Sequence, residues 1–124
     1  MDNSFKNDEK LYRAVYPPNI SSMYWKSDGS VSSAAFADPN GLSVERGYYR
    51  KDEDVVSAMQ MRFTGSIIRV YVKNCRDIGA EVRYLPSNNS PYHSEIHGSA
   101  TTPLLSKTQR RYLAEKASII LSSL

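Results

Sequence analysis

One cysteine stands in the 124 residues, at position 75, so the chain can build neither an internal disulfide nor a site made of several thiolates. No apolar run approaches the roughly 20 residues that a membrane-spanning helix needs. Neither sign of charge dominates. Lys plus Arg number 16 and Asp plus Glu 13, and a formal surplus of +3 is too slight to argue for a nucleic-acid protein. A Gly-rich phosphate loop, a Gly-x-Ser-x-Gly elbow, a His-Glu-x-x-His helix and a Cys-x-x-Cys pair are all missing from the sequence. The familiar NTPase, hydrolase and zinc-enzyme signatures are thus without support. The opening MDNSFKNDEK mixes both charges and has no apolar core of the signal-peptide kind. The expectation is a cytoplasmic protein with no membrane partner and a reduced, half-buried Cys75; a reactive thiol beside Arg76 is the alternative.

What is present is an ordinary domain composition, 40% hydrophobic and 23% charged. Residues 1–10 read as a flexible tail and 11–124 as a single α+β domain. In LYRAVYPP (11–18), Leu11, Arg13 and Val15 point one way and Tyr12 and Ala14 the other. This predicts a strand that Pro17 and Pro18 stop, since proline cannot donate to a ladder. Residues 19–34 read as a loop with a short strand through Val31, and Asp38-Pro39-Asn40-Gly41 as a turn. LSVER (42–46) reads as a second strand. Asp52, Glu53 and Asp54 suit the first turn of a helix, and Val55, Val56, Met59 and Phe63 follow at helical spacing. The prediction is a helix over 52–62, ended by Gly65. SIIRVYVKN (66–74) is the strongest strand signal, rich in β-branched residues. After it come a helical turn, a stop at Gly79, a strand over 80–85 and an alternating strand at 92–98. A final amphipathic helix is predicted from Leu105 to Leu124, capped by Ser106, with Leu113, Ile120 and Leu121 on its apolar stripe. The sum is an α+β fold: a mainly antiparallel sheet, one short central helix and one C-terminal amphipathic helix.

Candidate chemistry concentrates at a few positions. His93, Glu95 and His97 alternate, so a strand would put two imidazoles and a carboxylate on one face. Such a face could serve acid–base work or ligand binding; a solvated edge-strand face is the plain alternative. No further ligand is near enough in sequence to complete a metal site. Tyr48 and Tyr49 lie beside Arg46 and Arg50, and nine tyrosines in the chain favour a binding surface.

The succession LYRAV, SSAAF (32–36), LSVERG (42–47), a helix, IIRVYVKNCRDIGAEVRYLP and PYHSEIHG resembles a widespread group of small uncharacterised bacterial proteins over about residues 11–120. The resemblance brings no known activity. A second, weaker likeness is to the ADP-ribosyltransferase-like fold, including its RNA phosphotransferase branch. It implies catalytic roles for Arg13, Ser43 and Glu95: Arg13 holding a diphosphate, Ser43 supporting the nicotinamide pocket and Glu95 polarising the ribose, with NAD as cofactor. His93 departs from that pattern, standing where Gln or Glu is common. Two functions follow as expectations. The first is a small interaction protein of a bacterium or mobile element, of inhibitor or immunity type. It would bind a protein or nucleotide partner through His93, His97, Arg46, Tyr48 and Tyr49. The alternative is an NAD-dependent transferase or a degenerate nucleotide-binding relative. A nucleic-acid accessory domain comes third, on the pI and dispersed arginines alone.

Overall fold

The computed structural model describes residues 1–122. Strand β1 (Lys10–Val15) ends before the two prolines, as their missing donors require. Strand β2 (Leu42–Arg46) follows the Asp38–Gly41 turn, which the Gly41 N–H closes on the Asp38 carbonyl. Helix α1 (Asp52–Gln60) carries its three acidic residues at the positive end of the helix dipole. Then come β3 (Ser66–Tyr71), α2 (Val72–Asp77), β4 (Glu81–Tyr84), β5 (His93–His97), α3 (Lys107–Lys116) and β6 (Ser118–Leu121). The strands form one antiparallel sheet in the order β4-β5-β2-β1-β3-β6. No helix among the described residues is long and apolar enough to cross a membrane.

The alternation in β1 sorts the core as its residues predict. Leu11 and Val15 join Leu42, Val44, Ile68, Val70 and Ile96 in the larger cluster, packed beneath Leu113 of α3 and the 3-10 turn Ser33–Phe36. Tyr12 faces the other side with Ile67, under Val55 and Met59 of α1. Helix α1 covers only the β1–β3–β6 half of that second face. Its other half presents Ser43 opposite Glu95, and Glu95 opposite Arg83.

The structure corrects several expectations. The C-terminal helix stops at Lys116. Its predicted continuation is β6, which pairs Ile119 with Ile68 and Leu121 with Ile67. Ile119 and Ile120 are β-branched, and the open edge of β3 offers the segment's backbone a ladder that a longer helix would leave unpaired. Ile120 accordingly packs against α1 rather than beside Leu113. Leu124 lies outside the described residues. The Ser106 cap holds: its hydroxyl accepts from the Gln109 N–H and the Gln109 side chain accepts from the Ser106 N–H. The predicted helix over 52–62 ends at Gln60. Gly65 does another job, since a Cβ there would lie 2.7 Å from the Val15 carbonyl. The long strand signal at 66–74 breaks at Tyr71, where Asn74 accepts from the Tyr71 N–H and starts α2. Around Val31 there is a single bridge, to Trp25, not a strand.

The N-terminal residues read as a tail are docked. Phe5 is buried, and Asn7 and Glu9 accept backbone hydrogen bonds from Lys73 and Val72. The clamp is Arg46, which donates to both Glu9 carboxylate oxygens at 2.7 and 2.8 Å and to the carbonyls of Asp2 and Ser4.

Candidate functional site

A cleft of about 360 Å³ opens on the α1 side of the sheet. Its floor is the adjoining stretch of β1 and β2. Met59 and the turn after α1, with Arg62 and Phe63, make one wall; Ser90 and His93 make the other, and Tyr16 stands at the end of β1. Buried Glu45 holds the walls together. Its carboxylate accepts from Arg62 at 2.6 Å, Arg50 at 3.1 Å and Ser90 at 3.1 Å. Two cations and a hydroxyl thereby compensate one desolvated charge. Deeper toward α1, the Tyr12 hydroxyl donates to Asp52, and burial with that contact pushes its pKa well up. Asp52 is drawn upward by burial, but Tyr12, Lys10 and Arg69 outweigh this and hold it below its ordinary 3.8.

Ser43 and His93 meet at the polar side of the cleft. They sit on paired strands, β2 and β5, with Ser43 exposed at its rim. His93 Nδ1 is 2.8 Å from the Leu85 carbonyl, and Nε2 is 3.3 Å from Ser43 Oγ. A carbonyl only accepts, so in the neutral ring Nδ1 carries the hydrogen and Nε2 turns its lone pair to the serine hydroxyl. Glu95 lies directly across from Ser43 and binds His97 Nε2 at 2.8 Å. Gly41 makes that pair possible, because a Cβ there would sit 2.6 Å from both side chains. His97 is buried, and its Nε2 is engaged by Glu95. Among the described residues no three His, Cys, Asp or Glu side chains gather as a metal site.

No family model matches the chain, and neither a curated protein nor a solved structure matches it. The two resemblances therefore rest on the motifs alone.

Ser43, Glu95, His93 and His97 share one face of the sheet, as their alternation predicts. Arg13 borders the same cleft, but its side chain does not share their face. It shares the parity of Leu11 and Val15, and its guanidinium donates to the backbone carbonyls of Ala35 and Ser43. Burial lowers its pKa, against the opposing pull of Asp38 and Tyr24. Arg13 and Glu95 thus point to opposite sides of the sheet, and the three residues form no common cradle for NAD. Arg46 is likewise committed, 1% exposed and stacked on Phe5 at 4.0 Å. Tyr48 packs over the same guanidinium at 4.9 Å. Tyr49 remains free to the surface, 75% exposed. Tyr48 and Tyr49 line a separate hollow of about 210 Å³.

The sequence marks no functional role for Glu45, Arg62, Ser90, Tyr16 or Phe63, and Phe63, expected on the apolar face of α1, instead lies beyond the helix and exposed. Glu45 carries a signal in its parity: two residues after Ser43 on one strand, it must face the same way. Arg62 and Ser90 reach it across 17 and 45 residues, a distance no local pattern records.

Proposed function

We propose that the protein is a small cytoplasmic interaction protein, of inhibitor or immunity type, that binds a protein partner across the mouth of this cleft. One observation carries the reading. Tyr16, Met61 and Phe63 are 57%, 87% and 44% exposed, and Tyr16 and Phe63 line the cleft itself. Tyrosine, phenylalanine and methionine are enriched at protein interfaces, and hot spots form where one partner's anchor fills the other's pocket. The cleft is large enough for one aliphatic or aromatic side chain. Ser43 and His93 offer hydrogen bonds to the polar backbone on either side of such an anchor. The cytoplasmic setting is supported by the single, buried Cys75.

The test is site-specific photocrosslinking in the cells that express the protein. A benzophenone amino acid replaces Phe63 in one variant and Lys107, on α3 across the sheet, in another. The reading predicts one discrete crosslinked protein from position 63 and none from position 107. No product at 63, or the same product at both, contradicts it.

A further inference from the structure

We propose that Ser43 and His93 form a nucleophile–base pair that hydrolyses small carboxylic esters in the cleft. The inference goes beyond the protein-partner reading and stands or falls separately from it. Four features of the site carry it. The imidazole is held at both ends, by the Leu85 carbonyl at 2.8 Å and by Ser43 Oγ at 3.3 Å. This is the arrangement in which a base takes a serine proton while a third group fixes its tautomer. Both residues sit on paired strands of the sheet, which hold a constellation more firmly than loops do. Ser43 is exposed and opens onto the cleft, where Ala14, Met59 and Phe63 provide apolar room for an acyl or alkyl group. Arg62 lines the same cleft with one nitrogen anchored on Glu45. It is the cation that would take the charge developing on the ester carbonyl oxygen.

The step is a balanced acyl transfer. Ser43 Oγ attacks the carbonyl carbon while its proton passes to His93 Nε2. The bond from that carbon to the alcohol oxygen breaks, and the alcohol leaves with the proton. Water then adds to the acyl-serine by the same route and gives its proton to Nε2. The carboxylic acid departs, restoring the Ser43 hydroxyl and the neutral ring. No metal, oxidant or reductant enters the balance.

The purified full chain is treated with a fluorophosphonate probe and, separately, with p-nitrophenyl acetate. The adduct is weighed by intact mass and placed by peptide mapping. One adduct is expected, on Ser43. Ser43→Ala should abolish it together with acetate turnover, and His93→Ala should slow both by about 100-fold or more, the usual weight of a positioned general base. Lys107→Ala, on the opposite layer, should match the parent. Melting curves confirm that each variant folds; if Ser43→Ala does not, the peptide map of the parent decides by itself. An unlabelled parent, an adduct on another residue, turnover surviving in Ser43→Ala, or parental rates in His93→Ala would each overturn the proposal. None of these results bears on crosslinking at position 63, so the two readings fail independently.

Discussion

Tyr48 and Tyr49 adopt φ of +45° and +67°, in a turn that the Arg50 N–H closes on the Gly47 carbonyl. The left-handed region crowds a Cβ against the neighbouring carbonyl, at about 1–2 kcal/mol per residue. Tyr48 is compensated: its ring covers Arg46 and its N–H donates to Glu9. Tyr49 has Lys6 at 5.4 Å from its ring and meets the Tyr48 ring edge to face at 5.1 Å, but both contacts lie at the surface. Tyr49→Gly should therefore stabilise the protein by about 1 kcal/mol in a urea melt; a loss of similar size would mean that the Lys6 and Tyr48 contacts together outweigh the strain. Cys75 gives a second test at this scale. Burial pushes its thiol from 9.0 up to about 12, with Arg76 pulling the other way. The fold thus disfavours the thiolate, so the stability this group contributes is full below about pH 9 and drains away as the pH rises toward 12. Iodoacetamide at about pH 8 should leave the native protein unmodified and alkylate it in denaturant. Equal rates in both states would contradict the burial.

At the level of elements, the segment ahead of β1 is held chiefly by two arginines, Arg46 and Arg76, the latter donating to the Asn7 side chain and the Phe5 carbonyl. Arg46 is 1% exposed and Glu9 9%, and the pair is bidentate. Removing one partner of such a pair strands a buried charge and costs about 3–5 kcal/mol. Arg46→Ala should lose stability on that scale, and the amides of residues 2–9 should gain hydrogen exchange. Unchanged exchange there would show that Phe5, Arg76 and the backbone bonds from Lys73 and Val72 suffice without Arg46. The docking was illegible in the sequence because MDNSFKNDEK has the composition of a tail, and its partner lies 37 residues beyond Glu9. Local patterns elsewhere were readable: the β1 parity, the Ser106 cap and the alternation of β5 appear as their residues predict. The α3–β6 boundary was not. Ile120 and Leu121 fit a helical stripe as well as a strand, and only the open edge of β3 decides between them.

For the whole molecule, one antiparallel sheet packs its larger core on one face, under α3 and the 3-10 turn, and is covered by a single helix on half of the other. The uncovered half is where the chain places Ser43, Glu95 and His93, with the exposed aromatic rim on the far side of the cleft. Half of this site was legible, because strand parity is local and strict. The other half comes from a helix end and a loop, Arg62 with Phe63 and Ser90 with its turn, brought to β2 by the buried charge of Glu45. The central claim is that this cleft mouth is the working surface. It is tested most directly by calorimetry with the protein captured at position 63. Tyr16→Asp with Phe63→Asp should weaken its binding by at least about 30-fold, the loss expected when a hot spot worth about 2 kcal/mol is removed. Lys107→Asp with Arg111→Asp, on α3 across the sheet, should change it less than about 3-fold. Unchanged affinity in the first pair, with a large loss in the second, would move the working surface to the opposite face and contradict the account.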